Sequence, residues 1–436
     1  MNFSDSKKKL ALAGALCGVI AAVLAYFGNP ANMAICVACF IRDTAGALKM
    51  HQAAVVQYAR PEIIGIVVGA FVISAATKEY RSTAGSSPMT RFVLGIAIMI
   101  GSLVFLGCPL RMVLRMSAGD LNAYVALIGF ILGIATGIVA LKKGFSLGRA
   151  HETNKMSGAV LPVLMVGILI LAVGTTLLAS STEGPGSKHA PIVIALIGGL
   201  LFGAFAQKSR MCFAGSIRDV ILMKNFDLLS VIGGLFVVML IYNIATGNFI
   251  LGFDTPGIIA HSDHLWNILG MYTVGFAATL AGGCPLRQLV LAGQGSSDAG
   301  MTVIGMFVGA ALCHNLGLAS SGTAADAEGV ITAGAAAPAG RGKGAFAYSL
   351  EFQGGTSTNV TFDKEYTLEE IDSQMIPSLE EITGDKNIQV QTVKDSNQVV
   401  FKTQTLDLEK REALASYLNE NYGVETSDIA TENISS

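Results

Sequence analysis

Charge is scarce in this sequence: only 14% of its 436 residues are Asp, Glu, Lys or Arg, against about 25% in soluble domains. That deficit excludes an ordinary soluble protein. With a net charge of −2, it also leaves no basic surface for nucleic acid. Cysteine is absent after Cys313, so the polar C-terminal region is not a disulfide-stapled module. A small-residue cleavage site is missing too. The first apolar run ends in Phe27-Gly28-Asn29-Pro30, so Lys7 to Lys9 and the run behind them read as a first span and not as a removable signal. What is plentiful fits lipid: 52% hydrophobic residues, a mean hydropathy of +0.57 and 50 glycines within apolar segments, which allow close helix packing.

A bilayer core takes roughly 20 apolar residues per helix. The pattern predicts about nine spans, near 10–27, 61–77, 91–107, 122–141, 158–180, 190–206, 228–245, 264–283 and 300–317. Four segments, near 31–50, 109–118, 211–224 and 285–294, are too short or too polar to cross and read as re-entrant half-helices.

Two of these half-helices begin with the same five residues, Gly107-Cys108-Pro109-Leu110-Arg111 and Gly283-Cys284-Pro285-Leu286-Arg287. Proline lacks an N–H and suits the first helical position, which makes Cys108 and Cys284 the expected caps. Cys284 follows Cys108 by 176 positions, Cys212 follows Cys36 by 176, and Ile217-Arg218-Asp219 follows Ile41-Arg42-Asp43 by 176. One shared offset implies a duplicated unit. Each unit holds four spans, and one extra span separates them, so the second unit enters from the opposite side and the repeats are inverted. Lysine and arginine gather in loops that all fall on one side: Lys7 to Lys9, Lys78 to Arg91, Lys142 to Lys155 and Lys208 to Lys224. The positive-inside bias assigns that side, with the N-terminus, to the cytoplasm and the C-terminal region to the outside.

The N-terminus of a broken helix is an anion site by virtue of its free N–H groups and dipole, and irregular backbone at bilayer depth survives where it lines a cavity. Arg111 and Arg287 add positive potential at the two mouths. Cys36, Cys39, Cys108, Cys212 and Cys284 with these arginines form the candidate path. A neutral thiol is a weak donor and soft acceptor that releases a sulfur-bearing anion more readily than a guanidinium does. Cys17 and Cys313 read as apolar filler. Arg42 with Asp43 and Arg218 with Asp219 read as neutralised structural pairs. The Cys36-Val37-Ala38-Cys39 spacing also fits a dithiol redox pair, but a zinc site would want four ligands and the rest are missing. No metal, cofactor or catalytic residue is expected.

These motifs, together with Gly28-Asn29-Pro30, Asn32-Met33 and Leu291-Ala292-Gly293-Gln294-Gly295-Ser296-Ser297-Asp298, resemble the YeeE/YedE family of membrane proteins, and within it the selenium-metabolism-related YedE branch. The resemblance covers about residues 1–322. It implies an inner-membrane transporter of inverted-repeat fold taking up a thiosulfate-like anion through cysteines. Carried over by motif, those are Cys36 or Cys39 on the outer side, then Cys108 and Cys284. A cytoplasmic sulfur-carrier protein is a candidate partner.

Beyond residue 344 alternating and helical patterns predict an α+β module. Strands are expected near 347–352, 358–362, 388–393 and 399–403, with a helix capped by Thr367 and Glu370 running to Ile382, a second helix over 408–422 and a closing strand. Tyr348 to Ser357 and Glu432 to Ser436 resemble the extracytoplasmic domain of SecF-type protein-export subunits. The junction near Gly344 is abrupt, and a chimeric or truncated gene is expected over a natural fusion. The expected organisation is a first membrane repeat over 1–150, a linking span over 151–187, a second repeat over 188–322, a Gly/Ala-rich linker over 323–344 and the extracytoplasmic domain over 345–436. Residues 330–340 are the alternative place for a further span. Transport of a small sulfur or selenium anion is the leading function. A protein-export accessory role rests on the tail alone, and a membrane thiol oxidoreductase on the cysteine pair.

Overall fold

The computed structural model of the protein describes residues 3–253, 259–320 and 355–434, the last stretch apart from 365, 367–369, 372–373, 386–387, 393–396, 404–405 and 425–427. The chain divides into two units, Met1–Ala345 and Phe346–Ser436. The first unit runs α1 (Phe3–Tyr26), α2 (Val37–Ala47), α3 (Pro61–Ala76), α4 (Pro88–Val104), α5 (Pro109–Ser117), α6 (Leu121–Lys142) and α7 (Lys155–Gly174), then a one-turn α8 (Gly184–Ser187). It continues with α9 (Ile192–Lys208), α10 (Phe213–Met223), α11 (Asp227–Ala245), α12 (His264–Ala281), α13 (Pro285–Gly293) and α14 (Ser297–Asn315). A small ribbon pairs β1 (Thr83–Ala84) antiparallel with β2 (His151–Glu152). Among the described residues nine helical stretches are long and apolar enough to cross a membrane. The protein is a multi-pass helical membrane protein.

The 176-residue offset is visible in space. The starts and ends of α2 and α5 recur in α10 and α13 at that offset, residue for residue. The long helices pair across the halves: α6 runs along α12 and α4 along α14, while α3 runs along α9 and α1 along α11. Exchanging the halves turns each pairing into its counterpart, which is a pseudo-two-fold relation. Small residues permit the approach. A Cβ on Gly129 or Gly133 of α6 would stand 2.1 Å from the carbonyls of Ile268 or Tyr272 on α12, closer than any side chain tolerates. With few apolar-versus-lipid gains to drive association inside a bilayer, such backbone contact is what holds spans together.

The breaks have local causes. After α4 and α12 the chain passes through left-handed backbone at Leu106 (φ 61°) and Gly282 (φ 82°), and proline opens the next short helix at Pro109 and Pro285. All four short helices, α2, α5, α10 and α13, carry cysteine at the N-cap. One expected span is shorter than the pattern predicts. The run at 158–180 is helical only to Gly174, where Thr175 turns extended (φ −141°, ψ 163°).

The second unit is a four-stranded antiparallel sheet in the order β4-β5-β3-β6, built from β3 (Gly355–Thr361), β4 (Gln389–Thr392), β5 (Gln398–Thr403) and β6 (Ile429–Ile434). It packs with α15 (Ile376–Thr383) and α16 (Leu408–Tyr422) around Val360, Leu379, Phe401, Leu414 and Leu418. The helix expected up to Ile382 does not run unbroken: Met375 is a turn and the helix restarts at Ile376, since Pro377 has no N–H to carry the ladder through. The strand expected at 347–352, Thr367 of the capping box, the linker at 323–344 and the alternative span at 330–340 lie outside the described residues.

Candidate functional site

The N-termini of α2 and α5 meet tip to tip, and their thiols lie between them. Cys36 caps α2, its sulfur accepting the Cys39 N–H at 3.4 Å, and stands 3.8 Å from the Cys108 sulfur at the start of α5. The backbone N–H groups of Ala38 and Arg111 face the Cys108 sulfur. Two helix ends with their positive dipole poles thus converge on three sulfur atoms. Arg111, one turn into α5, is 1% exposed. Its guanidinium reaches Cys39 Sγ at 3.5 Å, Asn32 Oδ1 at 3.2 Å and the carbonyls of Asn32, Ile259 and Leu106. Among the described residues no carboxylate pairs with it.

The second half repeats this arrangement with fewer groups. Cys212 caps α10 by accepting the Gly215 N–H at 3.2 Å, and its thiol neighbours the Cys284 thiol at the start of α13. Arg287 donates to Gln207 Oε1 at 3.3 Å and likewise has no carboxylate partner among the described residues. The five thiols are occluded: Cys36 and Cys39 are 0% exposed, Cys108 and Cys284 1%, and Cys212 6%.

Proline logic predicts Cys108 and Cys284 as caps. Both occupy the N-cap position, but neither side chain makes a cap hydrogen bond. The side-chain caps are Cys36 and Cys212, which leaves the other two sulfurs free to face their partners across the gap. The offset relates Cys36 to Cys212 and Cys108 to Cys284 in sequence; in space the structure groups Cys36 with Cys108 and Cys212 with Cys284. Cys39 joins the first group, and Gly215 at the matching position leaves the second with two.

The Arg-Asp motifs diverge. Asp43 accepts Arg42 through one oxygen and Arg60 through the other, at 2.7 and 2.8 Å, and all three side chains are buried. Arg60 also donates to the carbonyls of Pro185 and Lys188, which fastens α2 to the segment opening the second half. Arg218 and Asp219 pair at 3.0 Å with side chains 34% and 15% exposed. A further buried pair, Arg115 with Asp120 at 2.6 Å, sits at the far end of α5. Sequence reasoning misses Arg60, Arg115 and Gln207. The signal for the first two is an arginine inside or beside an apolar run, which is costly in a membrane without a partner.

Two cavities, of about 330 Å³ beside Tyr58 and Leu169 and about 220 Å³ beside Leu161 and Ser297, touch none of the cysteines. No group of three or more His, Cys, Asp or Glu side chains gathers as a metal site among the described residues. What the geometry offers is a buried guanidinium beside thiols at converging helix ends, twice over. That set attracts an anion, presents sulfur to it, and provides no carboxylate to compete for the cation. No curated protein matches the chain. Residues 208–332, which carry Cys212, Cys284 and Arg287, match the family described as sulphur transport.

Proposed function

We propose that the protein carries a small sulfur- or selenium-containing anion, thiosulfate-like in charge and size, across the bacterial inner membrane. The substrate path we assign is Cys36, Cys39 and Cys108 with Arg111, followed by Cys212 and Cys284 with Arg287. The observation that carries this reading is the pairing of each thiol cluster with a buried arginine that has no carboxylate partner among the described residues, while Arg42, Arg60 and Arg115 in the same unit all have one. A guanidinium left unpaired at this depth costs several kcal/mol unless something anionic visits it. The sulphur-transport match over 208–332 supports the substrate class.

In this reading residues 1–150 and 188–322 are the two repeats, 151–187 links them, and the N-terminus is cytoplasmic. The domain at 345–436 lies outside and resembles that of SecF-type subunits, and the membrane part resembles the selenium-related YedE branch. A cytoplasmic sulfur-carrier protein is the proposed recipient. Uptake of labelled thiosulfate and selenite by cells lacking their own importers tests this. The wild type restores uptake, and Cys108→Ala with Cys284→Ala abolishes it. Unchanged uptake in the double variant overturns the relay, and no uptake of either anion by the folded wild type overturns the function.

A second reading, a membrane thiol oxidoreductase, has one observation in its favour: the Cys36 sulfur lies 3.8 Å from the Cys108 sulfur and accepts the backbone N–H of Cys39. A Cys36–Cys39 disulfide that forms and disappears with turnover in thiol trapping distinguishes it from transport.

A further inference from the structure

One acidic side chain sits where the second thiol cluster approaches the surface, and the transport reading leaves it unexplained. Glu79 follows α3 on a segment sewn to the α13–α14 break: Arg81 N–H donates to the Gln294 carbonyl, Thr83 N–H to the Gly295 carbonyl, and the Gln294 side chain to the Glu79 carbonyl. Its backbone is therefore fixed, while its carboxylate reaches the surface with 31% side-chain exposure. That carboxylate accepts Lys208 at 3.2 Å and Arg210 at 3.7 Å. It also accepts the Gln207 Nε2 amide at 3.5 Å, and the other end of the same amide accepts Arg287 at 3.3 Å. A continuous polar chain thus runs from the exposed cations Lys208 and Arg210 through Glu79 and Gln207 to the guanidinium beside Cys284.

Resting on the transport reading, we propose that Arg287, Lys208 and Arg210 form an exit site for the transported oxyanion and that the Glu79 carboxylate occupies it as a built-in substitute anion. A carboxylate and a sulfur oxyanion present the same chemistry to these donors, a compact set of charged oxygen acceptors. An anion arriving at Arg287 takes the donor that Gln207 now accepts, and Gln207 is then free to turn. With the amide released, Glu79 is held only by two solvent-accessible cations, and such pairs are weak and readily exchanged. The anion succeeds Glu79 on Lys208 and Arg210 and leaves. Between turnovers the carboxylate returns and closes the way to Cys284. The hydrogen bond from Lys208, with the charges of Lys208 and Arg210, holds the Glu79 carboxyl below the usual carboxylate range, so it remains an anion under ordinary conditions.

The first half lacks this device, which fits an exit and not a capture role. Arg111 is tied to Asn32 where Arg287 is tied to Gln207, but no acidic side chain stands beyond Asn32 in the described network. The substitute anion guards one end only.

The test measures access to Cys284 in the full-length protein in inside-out membrane vesicles, using a membrane-impermeant maleimide and quantifying each cysteine peptide by mass spectrometry. Glu79→Gln removes the charge and keeps the shape. It is expected to raise the labelling rate of Cys284 about five-fold, the effect of losing one modest ion-pair network, with Cys108 unchanged. Glu79→Asp restores protection. Millimolar thiosulfate accelerates Cys284 labelling in the wild type, and it fails to do so when Lys208 and Arg210 are both replaced by Gln. If Glu79→Gln is poorly folded, the Lys208→Gln, Arg210→Gln variant tests the same closure from its other side and should also expose Cys284. Cys284 labelling equal to wild type in the folded variants overturns the proposal. Labelling needs no transport, so its outcome is separate from the uptake test of the function.

Discussion

The Ile-Arg-Asp motif occurs twice with identical residues, and the structure assigns its copies very different energies. Asp43 receives three charge-assisted hydrogen bonds, from Arg42 Nε and Nη2 at 2.9 and 2.7 Å on one oxygen and from Arg60 Nε at 2.8 Å on the other, with Arg60 Nη2 a further ion contact at 2.8 Å. Its side chain is 0% exposed, as is that of Arg60. Asp43→Asn leaves two buried guanidinium groups facing a neutral amide, and removing one partner from a buried ion pair costs about 3–5 kcal/mol. Asp219→Asn disrupts a pair whose arginine is 34% exposed; water takes over, and the expected cost is about 0–1 kcal/mol. At the lower end of ~2–4 °C per kcal/mol for larger domains, the first change should lower the unfolding midpoint by roughly 6–10 °C and the second by no more than about 2 °C. The assay is thermal unfolding of the detergent-solubilised protein, followed by the fluorescence of a dye that reacts with newly exposed cysteine. Equal shifts for the two variants would refute the claim that burial, and not the motif, sets the energy of these pairs.

Other outcomes follow from the same geometry. Arg111→Ala should reduce uptake of labelled thiosulfate by at least about ten-fold, since a charge-assisted contact of about 1.5–3 kcal/mol is lost, whereas Arg111→Lys keeps the charge but not the fork and should recover only part of it; uptake rates in cells read both. With Cys36 and Cys108 sulfurs 3.8 Å apart, mild oxidation by copper phenanthroline should join them and stop transport reversibly. Peptide mapping that finds Cys108 unlinked under those conditions counts against the tip-to-tip arrangement. Glu79 has a lowered folded-state pKa, caused first by its hydrogen bond from Lys208. Its contribution is therefore present above the ordinary carboxylate range and lost as pH falls through the lower folded value. The ratio of Cys284 labelling in the wild type to that in the Glu79→Gln variant, which cancels the common loss of thiolate in acid, should be flat from neutral pH down to about 5 and rise only in stronger acid.

Much of the membrane fold is legible in the chain because its causes are local. Apolar run length sets the spans, and Pro109 and Pro285 set the starts of α5 and α13 to the residue. The repeat is legible because cysteine is rare enough for a shared offset to stand out. Where the backbone departs from the run, the pattern fails: Thr175 turns extended and ends α7 early, and Pro377 interrupts a helix that apolar periodicity would continue. Hydrophobic pattern counts side chains, and both failures are matters of backbone conformation.

The candidate site was legible in its members and not in their partnerships. Every cysteine and both arginines of the twin motifs stand out in sequence, but whether an arginine is paired depends on residues far along the chain. Gln207 meets Arg287 across 80 positions, and Asn32 meets Arg111 across 79. Once those partners are known, the offset that reveals the duplication also shows where the copies part. Cys39 answers to Gly215, Arg60 to Phe236 and Arg115 to Leu291, and Arg42 is buried where Arg218 is partly exposed, so among the described residues the first half holds one more thiol and three more buried arginines than the second. In the transport function we propose, the tip with three sulfurs, a guanidinium without a carboxylate partner among the described residues and tightly buried neighbours holds the anion, and the tip with two sulfurs and a route through Gln207 to exposed lysine and arginine releases it. Directionality in that proposal needs no difference in fold between the halves, only this difference in how firmly each end grips the same anion.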